Sequence, residues 1–190
     1  MGVLALLALG IALFVATNVD DLFLLLAWFA EQRQSTRQIA AGQFVGQGLI
    51  LGLSILGALA VLTVAAPWVR LAGLLPLAFG VRRLAALIRG GATPPEARRA
   101  ATARGVAGVA LLTLTTGGDN LGAYAPVFAT HSRGDAADLV AVALVMTGLW
   151  CLLGHALVQH PRRAAFVLRY GAVLLPLVLI AIGISILASG

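Results

Sequence analysis

Two short polar clusters interrupt apolar segments that are long enough to cross a membrane. The first cluster is Thr17-Asn18-Val19-Asp20-Asp21, and the second, almost a hundred residues later, is Thr116-Gly117-Gly118-Asp119-Asn120. They hold three of the seven acidic residues of the chain. A carboxylate near the centre of a bilayer costs roughly 3 kcal/mol on insertion scales and more in simulations. Three such groups need a partner, and we expect that partner to be a cation.

The composition indicates that the bilayer is the solvent of this chain. Apolar residues make up 61% of the 190 residues, charged residues make up 11%, and the mean hydropathy is +1.00. About 20 apolar residues cross the hydrocarbon core of a bilayer. Six segments reach that length, at residues 3–29, 39–66, 68–88, 105–129, 139–158 and 165–188. The sequence therefore predicts an all-α polytopic membrane protein with six transmembrane helices, the first of them a retained helix rather than a cleaved signal peptide.

The distribution of arginine predicts the orientation in the membrane. All thirteen basic residues are Arg, and eleven of them lie in or beside the connections that follow the first, third and fifth segments. Only Arg70 and Arg133 lie on the other side. The positive-inside rule then places both termini outside the cytoplasm, in a multi-pass protein of the cell membrane. Topology thus explains the net charge of +6, and the chain lacks the basic stripes interleaved with aromatic residues that would indicate a nucleic-acid partner.

The two halves of the sequence repeat each other. A shift of 99 residues superposes Thr17 on Thr116, Asp20 on Asp119, Leu22 on Leu121 and Phe29 on Phe128, and a shift of 100 superposes Leu74-Leu75-Pro76-Leu77 on Leu174-Leu175-Pro176-Leu177. We predict a first three-helix repeat at residues 1–89, a cytoplasmic linker at 90–103 and a second three-helix repeat at 104–190. Repeats with three spans each enter the membrane in opposite senses, so the two repeats should be inverted, as in many secondary transporters.

The acidic clusters are the predicted substrate site. At about 1.5 Å per residue, Asp20 lies roughly 6 Å to the cytoplasmic side of the middle of its span and Asp119 roughly 3 Å to the outer side, so the two can face one another. The Thr, Gly and Asn residues around them favour an unwound turn. Such a turn would add backbone carbonyls to the carboxylates and amides. The predicted metal ligands here are Asp20, Asp21, Asp119, Asn18, Asn120, Thr17 and Thr116.

Two further pairs at helical spacing are candidates for the site. Gln43 and Gln47 would either line the inner path of the ion or hydrogen-bond between helices beside small residues. Cys151 and His155 would give the site a softer side, or else be a small buried apolar residue and a histidine bonded to a neighbouring helix. Oxygen ligands favour Mg, Ca or Mn, whereas imidazole and thiolate favour Zn, Cd or Cu. The identity of the ion therefore depends on which of these residues bind it.

The chain resembles the CadD-type cadmium-resistance transporters of the LysE superfamily. The resemblance covers nearly the whole chain and is carried by Asn18-Val19-Asp20-Asp21-Leu22, Gly42-Gln43-Phe44-Val45-Gly46, Gly73-Leu74-Leu75-Pro76-Leu77-Ala78-Phe79-Gly80, Gly117-Gly118-Asp119-Asn120-Leu121-Gly122 and Pro126. It implies a six-helix inverted-repeat protein that exports a divalent metal, with the acidic motifs of the first and fourth spans as its site.

Other functions are less consistent with the residues. An exporter of an amino acid or organic cation would need a group to hold a carboxylate, and we expect no Arg or Lys deep in a span near the acidic motifs. An intramembrane aspartyl protease would carry Gly-x-Gly-Asp, whereas this chain has Thr116-Gly117-Gly118-Asp119, so we expect no enzymatic activity. A passive channel stays open as an alternative.

The predicted mechanism is secondary export by alternating access. Empty ionised carboxylates at the membrane midplane are unfavourable, so the empty carrier should take up protons before it returns, which gives proton antiport. The chain contains no lysine, hence no Gly-x4-Gly-Lys-Ser/Thr loop for ATP. We expect a divalent cation (cadmium, zinc or manganese) as substrate, protons and the lipid bilayer as partners, and no cofactor. A homo-oligomer is compatible with the sequence.

Overall fold

The computed structural model describes residues 2–62, 71, 73–89 and 103–188. Within these ranges the regular secondary structure is entirely helical. The helices are α1 Val3–Thr17, α2 Val19–Glu31, α3 Thr36–Leu62, α4 Leu74–Ile88, α5 Gly105–Thr116, α6 Gly118–Thr130, α7 Arg133–Val158 and α8 Pro161–Ala188. The prediction of an all-α fold is confirmed for this part of the chain.

Both predicted spans that contain an acidic cluster are interrupted at that cluster. The first consists of α1 and α2, which meet at Asn18 with a bend of 59°. The second consists of α5 and α6, which meet at Gly117. The two interruptions match in detail, since Thr17 and Thr116, Val19 and Gly118, and Glu31 and Thr130 are each 99 residues apart. The helices are therefore interrupted where the Thr, Gly and Asn residues predicted a break, but each interruption is a single residue rather than an unwound turn.

The helices of one half pack against those of the other. The long helix α3 of the first half contacts α5 and α6, and the long helix α7 of the second half contacts α1 and α2. The helices α4 and α8, which carry the matching Leu-Leu-Pro-Leu sequences, pack against each other. Each broken pair is thus held by the unbroken helix of the other half, and this arrangement brings the two acidic clusters into one bundle.

Glycine allows the closest of these approaches. A Cβ atom at Gly42 of α3 would lie 2.8 Å from the carbonyl oxygen of Val106, and one at Gly46 would lie 3.0 Å from that of Ala110. Small residues four apart let helix backbones meet in membranes, where lipid removes the hydrophobic drive for association. The sequence Gly42-x-x-x-Gly46 therefore sets how closely α3 approaches α5.

The apolar surface is consistent with a bilayer environment. Two described helices are long and apolar enough to cross a membrane alone, at Thr36–Ala60 and Arg133–Val158, and α1 with α2 makes a third if the bent pair is one span. Large apolar side chains face outward along these helices, with Leu56, Val145 and Leu152 each more than 60% exposed. Extended exposed apolar surfaces are typical of proteins that contact a membrane or a partner. The number of spans, six by sequence, stays a prediction.

The observed helix ends differ from the predicted spans in places. The fifth predicted span begins at residue 139, but α7 begins at Arg133, where Ser132 Oγ accepts a hydrogen bond from the backbone N–H of Asp135. The sixth begins at 165, but α8 begins at Pro161, a residue suited to a first helical turn. Hydropathy locates the apolar part of a helix, whereas the capping residue sets its start. The end of the second predicted span, the start of the third and most of the linker lie outside the described residues.

Candidate metal site

The first helix break is fixed from both halves of the chain. The Thr17 hydroxyl donates to the carbonyl oxygen of Leu13 at 3.0 Å, a back-bond that tends to bend helices. Where α1 ends, the backbone carbonyl of Asn18 accepts a hydrogen bond of 2.7 Å from the indole Nε1 of Trp150 in α7. The carbonyl oxygen exposed by the interruption is therefore hydrogen-bonded to a residue of the second half of the chain.

The second break repeats the hydroxyl bond but not the indole. The Thr116 hydroxyl donates to the carbonyl oxygen of Leu112 at 2.9 Å, which is the bond that Thr17 makes in the first half. Gly117 follows, and its Cα faces the side chain of Ile50 in α3, where a Cβ atom would clash. The absence of a side chain at 117 thus allows α3 to pack directly on the break.

Arg83 of α4 joins the two acidic clusters. Its Nη2 donates to Oδ2 of Asp20 at 2.8 Å and to Oδ2 of Asp119 at 2.6 Å. Asp119 is buried and Asp20 is mostly buried, with side chains 6% and 14% exposed, while that of Arg83 is 32% exposed. The carboxylates of the two halves therefore share one charged partner, supplied by α4.

Arg83 corrects an expectation from the sequence. The sequence assigns Arg82 and Arg83 to the predicted cytoplasmic side and predicts no Arg near the acidic motifs. The side chain is long enough to carry its guanidinium from α4 to both carboxylates. The repeat offers no signal for this contact, because the matching helix has Gly183 in place of Arg83 at a shift of 100. The one signal in the sequence was general: ionised acids inside a membrane need a counter-charge, which predicts a cation as their partner but does not identify Arg83.

Asp21 is directed to a different partner. Its Oδ2 accepts a hydrogen bond of 3.1 Å from Nε2 of Gln43, whose Oε1 accepts one of 2.8 Å from the Thr113 hydroxyl of α5. All three side chains are at most 2% exposed. Since α2 is regular from Val19 onward, Asp20 and Asp21 point about 100° apart. This buried relay links α2, α3 and α5 and satisfies Asp21 within the protein.

The two asparagines also meet across the halves. Nδ2 of Asn120 donates to Oδ1 of Asn18 at 3.2 Å, and Nδ2 of Asn18 donates to the Phe14 carbonyl and to the Thr17 hydroxyl, each at 2.9 Å. Both the oxygen and the nitrogen of the Asn18 side-chain amide are therefore hydrogen-bonded. Oδ1 of Asn120 accepts no hydrogen bond among the described residues.

We call the place where Asp20 and Asp119 share Arg83 and where Asn18 meets Asn120 the acidic junction. Three buried oxygens at this junction lack a donor within the described part of the chain. They are Oδ1 of Asp20, Oδ1 of Asp119 and Oδ1 of Asn120. Buried acceptors without a partner typically cost about 1–3 kcal/mol each, more when charged. All three are of the kind that coordinates hard divalent cations. Across the described residues, however, no group of three or more His, Cys, Asp or Glu side chains could hold a metal, so amide oxygens would have to complete a site.

The remaining candidates occupy different surroundings. Gln47 is fully buried, and neither atom of its amide has a hydrogen-bond partner among the described residues. His155 is exposed, with its ring edge-on to Phe29 at a centroid distance of 5.1 Å. Cys151 is a buried free thiol within an apolar cluster that includes Trp28. Metal ligation by Gln47 or His155 stays a prediction.

A cavity of about 410 Å³ opens beside the acidic junction. It is lined by Phe79, Arg82, Arg83, Ala86, Thr115, Thr116, Gly118 and Asp119. The lining combines two arginines, a buried carboxylate and two threonines with the apolar side chains of Phe79 and Ala86. One face of the junction is therefore accessible from this cavity.

A comparison with protein families identifies the class of protein to which this site belongs. Residues 14–190 match the family described as "Cadmium resistance transporter". The chain belongs to the cadmium resistance transporter family. No curated protein and no solved structure matched the chain. The family resemblance carried by the acidic and glycine motifs is thereby confirmed, and with it a membrane transporter associated with cadmium resistance.

Membership of the cadmium resistance transporter family gives the described junction a context. The matched range includes both helix breaks, Arg83 and the cavity, and it excludes only residues 1–13. A family of metal-resistance transporters needs a cation site within the membrane, and the paired carboxylates are the charged groups that the two halves bring together.

Proposed function

We propose that the chain is a six-span secondary transporter built from two inverted three-helix repeats, residues 1–89 and 104–190, with both termini outside the cytoplasm. The 99-residue spacing of the two helix breaks supports the repeat. So does the exchange of partners, in which α3 packs on the second broken pair and α7 on the first. An odd number of spans per repeat then requires inversion.

The transported substrate is a divalent cation: cadmium, or a similar ion such as zinc or manganese. The observation that carries this proposal is the junction of Asp20 and Asp119, one from each repeat, beside buried oxygens that lack donors. Acceptor groups in excess of donors are what a cation requires and what an anion or apolar molecule would not use. The family supports the same class of substrate.

The ligands that we propose are oxygens. Asp20, Asp119 and Asn120 each offer an unused side-chain oxygen, while Asp21 and Asn18 are already bonded within the protein. Asp21 and Asn18 would join the coordination only after a change of conformation, as would the hydroxyls of Thr17 and Thr116. Oxygen ligands are harder than thiolate or imidazole ligands. We therefore expect the site to transport manganese as well as the softer ions cadmium and zinc.

Export would proceed by alternating access with protons as the counter-ion. The cation leaves carboxylates behind when it is released, and protons neutralise carboxylates without any other coupling machinery. The interrupted helices, which meet at the pseudo-symmetric junction, are the elements best suited to change between inward-open and outward-open forms.

Export of an amino acid or organic cation has one observation in its favour, because Arg83 is a group that could hold a substrate carboxylate. The guanidinium is nevertheless bonded to two carboxylates of the protein. An amino acid would have to compete with both of them at once. The metal is therefore the better-supported substrate.

Transport by the purified protein in liposomes distinguishes these substrates. Saturable flux of cadmium, zinc or manganese, measured with an entrapped metal-sensitive dye, is expected, while labelled lysine in parallel vesicles should not move. Saturable lysine flux without any metal flux would replace the metal proposal by the amino-acid one. Metal flux that rises linearly with concentration and never saturates would indicate a channel.

A further inference from the structure

We infer that Arg83 is a tethered counter-ion that occupies the metal position while the carrier is empty, and that it must leave the two carboxylates before a divalent ion can bridge them. This inference rests on the proposed function, since it assigns a role at the same site. In the empty carrier Arg83 balances one of the two carboxylate charges and leaves the other for the proton of the proposed antiport. Unlike that proton, this competing cation belongs to the protein.

The geometry places one nitrogen where a bridging metal would lie. Nη2 of Arg83 is 2.8 Å from Oδ2 of Asp20 and 2.6 Å from Oδ2 of Asp119, so the two oxygens are at most 5.4 Å apart. A divalent ion that bridges two carboxylates lies about 2.0–2.6 Å from each oxygen. The nitrogen and the ion cannot both hold these two oxygens.

The contacts of Arg83 leave the carboxylates incompletely satisfied. Both bonds to the acids come from the same nitrogen, and the Oδ1 atoms of Asp20 and Asp119 have no hydrogen-bond partner in the described residues. A bidentate arginine–carboxylate pair would have used both oxygens of one acid and would be stronger. A metal ion with several open coordination positions can use oxygens that the guanidinium does not reach.

A cavity beside Arg83 can accept its side chain after displacement. Its side chain is 32% exposed, against 6% for Asp119, and it lines the cavity of about 410 Å³ together with Arg82. A displaced guanidinium can therefore move into this cavity, beside Thr115 and Thr116, without crossing the packed core. The charge arithmetic favours the exchange: with Asp20 and Asp119, Arg83 leaves a formal charge of −1, whereas a divalent ion in its place leaves none.

The first test uses the wild-type protein. Phenylglyoxal modifies accessible arginines, and mass spectrometry resolves modification at Arg83 from that at Arg82, which lines the same cavity and serves as the internal reference. With saturating manganese, the modification rate of Arg83 should rise several-fold while that of Arg82 changes little. An unchanged or lower rate at Arg83, in protein that binds manganese, would overturn the inference.

The second test measures equilibrium binding of manganese and cadmium to purified variants. Arg83→Gln should bind each metal about tenfold more tightly than wild type, because the competitor is removed. The matched variant Arg82→Gln removes the same charge nearby and should change affinity less than about twofold, which separates competition from general electrostatics. Weaker or unchanged binding by Arg83→Gln would contradict a tethered competitor.

The two proposals fail in distinguishable ways. If wild type neither binds nor transports a divalent ion, the proposed function is wrong. If wild type binds and transports the ion, and Arg83 shows neither the rise in modification nor the gain in affinity, only the role of Arg83 is wrong and the arginine is a fixed structural partner of the two acids.

Discussion

At the scale of single residues, the two glutamines of α3 have opposite surroundings. Gln43 joins Asp21 to Thr113 through two hydrogen bonds, whereas the equally buried Gln47 makes none with the described residues. The residues share a helix, a type and a burial level, and both are candidates either for the ion path or for hydrogen bonds between helices. This makes them a matched pair for separating structure from transport.

Gln43→Leu should destabilise the protein by about 1–3 kcal/mol for each buried group left unpaired, here Asp21 and Thr113. Gln47→Leu should leave stability unchanged or raise it, because it removes a buried amide that has no described partner. Thermal unfolding in detergent measures both effects. A Gln47→Leu variant that is stable yet fails to transport metal would place Gln47 on the ion path, and equal destabilisation by the two changes would contradict the relay.

At the scale of helices, the approach of α3 to α5 depends on Gly42 and Gly46. Gly42→Ala should lower the thermal stability, because the added Cβ would lie 2.5 Å from Cβ of Val109 and 2.8 Å from the carbonyl oxygen of Val106. A backbone atom cannot give way as a side chain can, and overpacking typically costs about 1–3 kcal/mol.

Gly48→Ala on the same helix is the control. A Cβ there meets nothing within 4 Å, so the substitution should be neutral or slightly stabilising through helix propensity. If both variants unfold at the wild-type temperature, α3 and α5 are packed less closely than described here.

The helices also show what the sequence could and could not predict. The breaks at Asn18 and Gly117 follow from Thr, Gly and Asn residues placed inside apolar spans, and their shared 99-residue offset was visible in the sequence. The partner of the acids was predicted as a cation, but not as Arg83, since α4 reaches the junction only through tertiary packing. The divergence of Asp20 and Asp21 likewise depends on α2 being regular from Val19 onward.

At the scale of the whole molecule, the orientation in the membrane depends on the imbalance of arginine. Cysteine placed at position 95 or position 190 should react with a membrane-impermeant maleimide from the cytoplasmic and outer side, respectively, after Cys151→Ser removes the native thiol. The eleven-to-two distribution of Arg is the physical reason. Labelling of position 190 only after permeabilisation of the cells would reverse the topology.

The coupling to protons is likewise a property of the whole transport cycle. A proton gradient that is acidic on the side opposite the cytoplasm should accelerate metal export to that side. The reason is that protons from the acidic side replace the ion as it leaves the site. Metal affinity should fall as the pH falls, because protons compete for the ligand carboxylates. Collapse of the gradient with an ionophore is the control, and flux that ignores both the gradient and pH would exclude proton antiport.

The most direct test of the central claim is metal transport by variants of the two acids that meet at Arg83. In liposomes with equal amounts of protein, Asp20→Asn and Asp119→Asn should each lower cadmium transport by more than about tenfold, since each removes one charged ligand supplied by its half of the chain. Asp138→Asn, which alters an exposed acid of α7, should transport as wild type does. Transport at the wild-type rate by either Asp20→Asn or Asp119→Asn would contradict a metal site shared between the two repeats.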